Sequence, residues 1–455
     1  MPMAFRTGQL SLFQNEGASN GARGNGTCFS DPAFASNKTL SVHRWVPWIA
    51  GFSSDFVRDA FDRHLRPGGV VLDPFAGVGT TLVEAILRGH DAVGFEINPY
   101  AALACRVKTT AHRLEDDALM GEIRQFQSFY QEQLRLGRRP NRVPPSGFKT
   151  RAPFYSPKVM AKVLLSLEFI DAIQDSDTRH LFRLAFSSTM VQYSNYSYEP
   201  SLGRRVSAGK NEIEDFPVGE TIAAKLREMA EDIRWFRLNL PDDRVQAQVF
   251  NGSFFGCREH LRPGSIDLVV TSPPYLNNYH YNRNTRPQLY WLGYVSSPAD
   301  LRHLELDNFG KYWQTVREQE NLELNFTLPD SSLTDKLREL RAIHGEKGVY
   351  GGNGWANYAA SYFNDCLRFA EGLSYALRPG GTALVVIGNS ILQGVLIPTD
   401  QYFAKIAERA GLEAVEVHVP RATRVGSSII KSGVRVEKAA EKHQLYEAVV
   451  ELRRR

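Results

Sequence analysis

An α/β fold with a mostly parallel sheet, interrupted by two insertions, is what this chain of 455 residues predicts. Three observations carry the prediction. Near the start, "GGVVLDPFAGVGTTLVEAILRGHDAVGFEINPYAALACRVKT" reads as strand, glycine loop, helix, strand, helix. Strand signals then stop, and return at "VQAQVF" and "SIDLVVTS" after a long helical stretch. The chain closes on a helix, a strand, a second helix and two more strands.

Taken in order, residues 1–40, with "NEGASNGARGNGTC", are rich in Gly, Asn and Ser and carry little periodicity, so a flexible tail is expected. "VHRWVPWIAGFSSDFVRDAFDRHL" opens as an aromatic leading segment. Ser53 or Ser54 then supplies an N-cap for a short amphipathic helix, since a serine oxygen accepts from the orphan N–H groups of a first turn. "VVLD" is apolar and β-branched, "LVEAIL" has helical spacing and "AVGFEI" is a second strand. That is a parallel βαβ unit, whose crossover is right-handed.

Between 111 and 245, "VMAKVLLSLEFIDAI", "HLFRLAFSSTMV" and "TIAAKLREMAEDIRWFRLNL" repeat apolar residues at helical spacing, predicting a mainly helical insertion. A second, smaller insertion covers 276–355. Helix "YAASYFNDCLRFAEGLSYAL" follows, and beyond "RPGG" come strand "TALVVIGNS", helix "DQYFAKIAERAG" and strands "EAVEVHVP" and "YEAVVELR", the final strands expected to be antiparallel.

Composition bounds the function. With 43% hydrophobic and 23% charged residues, the chain can bury a full core without staples. A formal charge of +4 is only mildly basic, so a polyanion site has to come from local clustering. Cys28, Cys105, Cys257 and Cys366 lie far apart, with no CxxC pair and no His/Cys cluster at metal spacing. No apolar run approaches the roughly 18 residues of a membrane helix, and no signal-peptide pattern opens the chain. A soluble cytoplasmic protein without a metal site is expected.

In "LDPFAGVGTTL", Asp73 closes the strand, and Gly77 and Gly79 let the backbone approach a ligand before the helix begins. A dinucleotide fold would want Gly or Ala where Leu82 stands, and a phosphate P-loop would want Gly-Lys-Ser/Thr. Asp73 disfavours a pyrophosphate and suits an ammonium group. About twenty residues on, Glu96 ends the second strand, where a carboxylate can hold both hydroxyls of a ribose. An adenosine with an amino-acid tail meets all of these demands, and S-adenosylmethionine is the economical candidate. The bland alternative is a glycine turn that connects strand to helix and binds nothing.

The second motif is "TSPPYLNNY", from Thr271. Proline cannot donate to a sheet ladder and keeps its predecessor out of the helical region, so the strand ends in a fixed extended turn that offers carbonyls without competing N–H groups. The Ser272 hydroxyl and the Pro273 carbonyl could accept both hydrogens of a base amino group, directing its lone pair at a methyl group. Tyr275 is placed to stack on the base. A structural Pro-Pro turn with a core tyrosine is the plain alternative.

Together "DPFAGVGTT" and "TSPPY" resemble the S-adenosylmethionine-dependent amino-methyltransferases that modify DNA bases, and the serine resembles the N4-cytosine group within the N4-cytosine/N6-adenine family. The resemblance covers roughly residues 41–110 and 246–455 and implies a Rossmann-like class I methyltransferase sheet. It implies a cofactor loop of Asp73, Phe75, Gly77, Gly79 and Thr80, with Glu96 on the ribose. Ser272, Pro273, Pro274 and Tyr275 would then grip the flipped base. Ser253, His43 and Pro47 are further cofactor-side candidates; His43 reads equally as a surface or packing residue. Where family members often carry an aspartate for the adenine amino group, this chain has Asn251 and Ser253, neutral acceptors both. The implied organisation is a tail (1–40), three parts of a catalytic domain (41–110, 246–275, 356–455), a DNA-contacting helical insertion (111–245) and a target-recognition insertion (276–355).

The implied reaction is direct attack of the amino nitrogen on the sulfonium methyl, with no covalent nucleophile. Carbon-5 cytosine chemistry is excluded, because it needs a cysteine after proline and no cysteine here follows one. Flipping a base costs on the order of a few kcal/mol, which backbone contacts must offset. Candidate contacts are Arg138 and Arg139 in the basic run 135–158, interleaved with Phe148, Phe154 and Tyr155. Arg204 and Arg205 lie in a second run, 201–210, and Arg283 and Arg286 follow the turn. Each run also reads as solvated surface. DNA is the expected partner, with a cognate restriction endonuclease implied. N6-adenine methylation, RNA base amino-methylation, small-molecule methylation and a catalytically silent nucleic-acid-binding protein stay open as alternatives.

Overall fold

The computed structural model describes residues 29–30, 32, 34–48, 51–198, 202–241, 244–276, 281–329, 331–423 and 445–455; residues 1–28 of the tail expected over 1–40, and the "NNYH" after the turn, lie outside these. The described end of that tail is ordered instead: Phe34–Lys38 form a 3-10 turn, and the buried Asn37 accepts from the Ser54 N–H and donates to the Phe52 carbonyl. The first βαβ unit forms as read. Helix α1 (Ser54–His64) is capped by Ser53, whose hydroxyl accepts from the Phe56 N–H. Strand β1 (Val71–Asp73) leads through the glycine loop into α2 (Thr80–Leu87) and β2 (Ala92–Phe95). Asn98 then caps α3 (Pro99–Thr110), with proline at the first helical position, where its missing N–H costs nothing.

The helical insertion holds α4 (Asp116–Arg135), α5 (Pro157–Ala172), α6 (Ser176–Thr189), a hairpin of β3 (Tyr196–Tyr198) and β4 (Leu202–Arg204), and α7 (Val218–Leu238). Strands β5 (Ala247–Phe250) and β6 (Ile266–Thr271) return to the sheet. Helices α8 (Tyr281–Trp291), α9 (Pro298–Leu306), α10 (Trp313–Val316) and α11 (Leu333–Ala342) precede the long α12 (Gly352–Ala376). The chain ends with β7 (Leu377–Gly388), a hairpin of β8 (Ser390–Leu392) and β9 (Val395–Ile397), α13 (Thr399–Arg409), β10 (Leu412–Thr423) and β11 (Leu445–Arg454).

Seven strands form one sheet in the order β10-β11-β7-β6-β1-β2-β5. All neighbours pair in parallel except β11, which runs against both β7 and β10. This is the Rossmann-like class I sheet, and its final strands are antiparallel as expected. Strand alternation divides the core: along β7, Leu384 and Val386 face α1 and α2, while Ala383, Val385 and Ile387 face α12 and α13. From β1 the chain progresses outward through β2 to β5, then returns to β6 on the other side of β1. The crevice outside the carboxyl ends of β1 and β6 is therefore the topological switch point, where α/β sheets bind ligands.

Three details differ from the sequence reading. The strand expected to begin after "RPGG" starts at Leu377 instead, because Ile266 pairs with Leu377 and Leu268 with Thr382, leaving the intervening residues as a bulge on an otherwise continuous ladder. The second insertion is helical and divides: Leu289, Tyr290 and Trp291 of α8 join the core of the helical insertion, whereas Val316, Leu333 and Leu337 pack with α12. The aromatics interleaved with the basic run are structural. Phe154 and Tyr155 are buried, with their ring centroids 4.7 Å apart, and Tyr155 lies 5.1 Å from Trp291.

Candidate active site

The glycine loop is held from below. Asp73 is 1% exposed; one carboxylate oxygen accepts from the Phe75 N–H (3.0 Å) and the Thr271 hydroxyl (2.6 Å), the other from the Thr81 hydroxyl (2.7 Å). These bonds tie β1, the loop, α2 and β6 together. Asp73, the residue expected from sequence to suit an ammonium group, is engaged as a fastener of the loop. Burial pushes its carboxyl up to about 6, against the lowering effect of its three donors.

Gly77 and Gly79 are needed for different reasons. Both take positive φ, at 52° and 88°. A Cβ on Gly77 would stand 3.2 Å from Trp48 Nε1, in the mouth of the crevice, and one on Gly79 would stand 2.8 Å from Cys105 Sγ, beneath it. Glu96 reaches back to the loop, accepting from the Gly77 N–H on one oxygen and the Asn98 N–H on the other, both at 2.8 Å. Burial raises its carboxyl to about 7. The carboxyl retains acceptor capacity for a further donor.

The crevice above the loop is lined by Trp48, Phe52, Phe75, Gly77, Thr80 and Ser272. One surface therefore joins the cofactor loop to the first residue of the proline turn. Trp48 and Phe52 were passed over in the sequence reading; the aromatic spacing of "RWVPWIAGF" was the available signal. The leading segment is fixed by Asp232 of α7, which accepts from the Val42 N–H (3.0 Å), the Arg44 Nε (3.0 Å) and Nη2 (2.8 Å), and the Trp45 Nε1 (2.9 Å).

The other cofactor-side candidates are not among the described residues that line this crevice. His43 is 3% exposed, with Nε2 2.9 Å from Glu84, which also binds Arg58. It packs behind α2, and burial lowers its pKa. Pro47 is exposed. Ser253 caps a short 3-10 turn through the Phe255 N–H, and the Asn251 amide donates to the Glu96 carbonyl at 2.8 Å.

At the proline turn the acceptors are sorted. Among the described residues no donor bonds the Ser272 hydroxyl or the Pro273 carbonyl, whereas the Pro274 carbonyl accepts from the Tyr362 hydroxyl at 2.9 Å. The Tyr275 ring lies over Gly388 at the end of β7, where a Cβ would come within 3.4 Å of it, and its hydroxyl is 3.4 Å from Glu447. Phe75 meets Phe309 of the second insertion at 5.2 Å, closing one wall with aromatic surface.

The arginines divide. Arg138 pairs with Glu168 (3.3 Å), Arg204 with Glu212 (3.7 Å), and Arg205 donates to the Asn211 carbonyl (2.9 Å). Arg286 donates to the Lys149 carbonyl (2.9 Å) and lies 5.5 Å over the Phe148 ring, fastening α8 to the basic loop. Arg139 and Arg283 are exposed. Among the described residues there is no cluster of metal-ligating side chains, and no helix is long and apolar enough to cross a membrane.

An adenosine carrying an amino-acid tail fits these residues. The glycine cradle is bare where a Cβ would fill it, Glu96 has acceptor capacity for hydroxyls, and the aromatic walls offer flat apolar surface. Comparison with known proteins points the same way. Residues 34–105 match the model of a DNA methylase family of N6/N4 type. The Type II methyltransferase M.BsoBI of Geobacillus stearothermophilus is 24% identical over 433 residues, 87% of this chain and 83% of that protein. M.AvaI of Anabaena variabilis is 23% identical over 85% of this chain and 82% of its own length. M.MvaI of Kocuria varians is 23% identical over 74% of each.

Proposed function

We propose that this chain, of the N4-cytosine/N6-adenine amino-methyltransferase type, methylates the exocyclic amino group of a base flipped out of DNA, with cytosine N4 as the target. S-adenosylmethionine is the cofactor; when bound it supplies an activated methyl group, so the protein needs no covalent nucleophile. The observation that carries the reading is that Ser272 lines the same crevice as Gly77 and Thr80. Glu96 holds the ribose hydroxyls, and Gly77 and Gly79 keep the backbone close to the ligand.

The protein's remaining work is positioning and desolvation. The Ser272 hydroxyl and Pro273 carbonyl accept the two amino hydrogens of the base, which leaves the nitrogen lone pair as the outward-facing electron pair. Tyr275 stacks on the base face. Phe75, Phe309 and Trp48 keep water from the crevice. Cytosine is favoured over adenine by the serine form of the turn and by Asn251, a neutral side chain whose amide is engaged with the Glu96 carbonyl.

Exposed Arg139 and Arg283 are the better candidates for phosphate contact. The designation of the relatives as Type II methyltransferases supports a paired restriction endonuclease as partner. Incubation with tritium-labelled S-adenosylmethionine tests the reading. Label that enters duplex DNA and is released by DNase but not by RNase is expected; label in RNA alone, or none in nucleic acid, contradicts it.

A further inference from the structure

The proline turn has a weakness built into its strength. Pro273 and Pro274 have no N–H, so the backbone that presents free acceptors cannot fasten itself to its surroundings. A donor has to come from elsewhere. Among the described residues it comes from α12, where the buried Tyr362 donates its hydroxyl to the Pro274 carbonyl at 2.9 Å. We propose that Tyr362 is a positioning residue for methyl transfer: it pins the turn through Pro274 and so aims the Ser272 and Pro273 acceptors at the amino group.

The surroundings of Tyr362 support a fixed hydroxyl. Its ring meets Phe309 at 5.2 Å and 73°, an edge-to-face contact. Gly310 passes so close that a Cβ there would be 3.0 Å from the Tyr362 ring and 3.8 Å from Pro274 Cβ. One helical turn along α12, Asp365 holds that crossing segment down, accepting from the Gly310 N–H at 3.2 Å and pairing with Lys311 at 3.2 Å. Tyr362 and Asp365 thus act on one face of α12. The first bonds the turn, and the second holds the second insertion against the ring that makes the bond.

The bond also sorts acceptors. With a hydroxyl on Pro274, a base amino group meets the Ser272 and Pro273 oxygens as the acceptors left for it, which narrows the orientations in which both amino hydrogens are satisfied. Tyr362 touches neither substrate nor cofactor in this scheme. Its effect runs through the geometry of the turn and belongs to the reacting complex rather than to binding.

The inference rests on the proposed DNA amino-methylation, and the test separates the two. Wild-type enzyme is first assayed on duplex DNA; absence of methylation there overturns the underlying reading before any variant is made. Tyr362→Phe keeps the ring and its packing and removes only the donor. The expected result is a fall in kcat of about five- to ten-fold, with KM for S-adenosylmethionine and for DNA each within about two-fold of wild type. An unchanged kcat overturns the proposal, and so does a fall in which both KM values rise in step with it. If Tyr362→Phe does not fold, Asp365→Asn, which loosens Gly310 and Lys311 over the same ring, is read for the same split, with a smaller fall in kcat expected and an unchanged kcat overturning the proposal.

Discussion

Thr271 donates its hydroxyl to Asp73 at 2.6 Å, joining the last residue of β6 to the last residue of β1. The two loops that form the crevice leave the sheet from these residues, and this buried side-chain bond extends the β1–β6 pairing to the point where they diverge. Thr271→Val keeps the shape and removes the donor, leaving a buried carboxylate with one fewer partner. A loss of about 2 kcal/mol in unfolding free energy is expected, together with weaker cofactor binding. Urea denaturation and calorimetry check both; a variant as stable as wild type would show the bond to be incidental.

The proposed role of Tyr275 in holding the base can be separated from cofactor binding. Its ring lies on Gly388 at the end of β7, outside the set of residues lining the cofactor crevice. Tyr275→Ala is expected to abolish methyl transfer while S-adenosylmethionine binding survives within a few-fold. Equal loss of both would make the tyrosine a structural residue.

Asp232 links the helical insertion to the cofactor wall through its bonds to Val42, Arg44 and Trp45. Asp232→Ala strips a 2% exposed carboxylate from its paired arginine and from the leading segment that carries Trp48. A cost of about 3 kcal/mol in stability is expected. In the milder Asp232→Asn variant, KM for the cofactor should rise more than KM for DNA; the reverse order would place the clasp on the DNA side.

Acidity gives an independent handle on the loop. Burial raises Asp73 to about 6 and Glu96 to about 7. Both lie above the ordinary carboxylate values, so the folded chain retains protons that the unfolded chain has released. The stability they contribute is full below about pH 4 and is lost as pH rises through 6 to 7. Glu96→Gln stays neutral throughout. The melting temperature of Glu96→Gln minus that of wild type should therefore grow between pH 5 and pH 8, and a difference that stays constant across this range would rule out the raised carboxyl.

What was legible in the sequence is what glycine and proline decide locally. Gly77 and Gly79 mark backbone conformations that other residues avoid, and Pro273 and Pro274 mark a turn without donors, so both loops could be located before any contact was known. Their partners were not legible. Tyr362 lies 88 residues from Pro274, and Asp232 lies 190 from Val42; neither distance leaves a trace in periodicity. In the basic run 135–158 the charge density marked a surface, and Arg139, Lys149 and Arg151 are exposed, but Phe154 and Tyr155 within it fill the core, which charge alone does not reveal. In the second insertion α10 spans only four residues, too few to show a period, and α8 carries Pro287 inside it, which reads as a helix breaker. The fastening role of Asp73 was not legible either, because its bonding partners, Thr81 and Thr271, meet it only in the folded sheet.

The identity of the methylated nucleoside tests the central claim most directly. Duplex DNA is incubated with the protein and S-adenosylmethionine, digested to nucleosides and resolved by mass spectrometry. N4-methylcytosine is the expected product. N6-methyladenine would contradict the cytosine assignment while preserving the amino chemistry of Ser272 and Pro273, and 5-methylcytosine would contradict the mechanism itself.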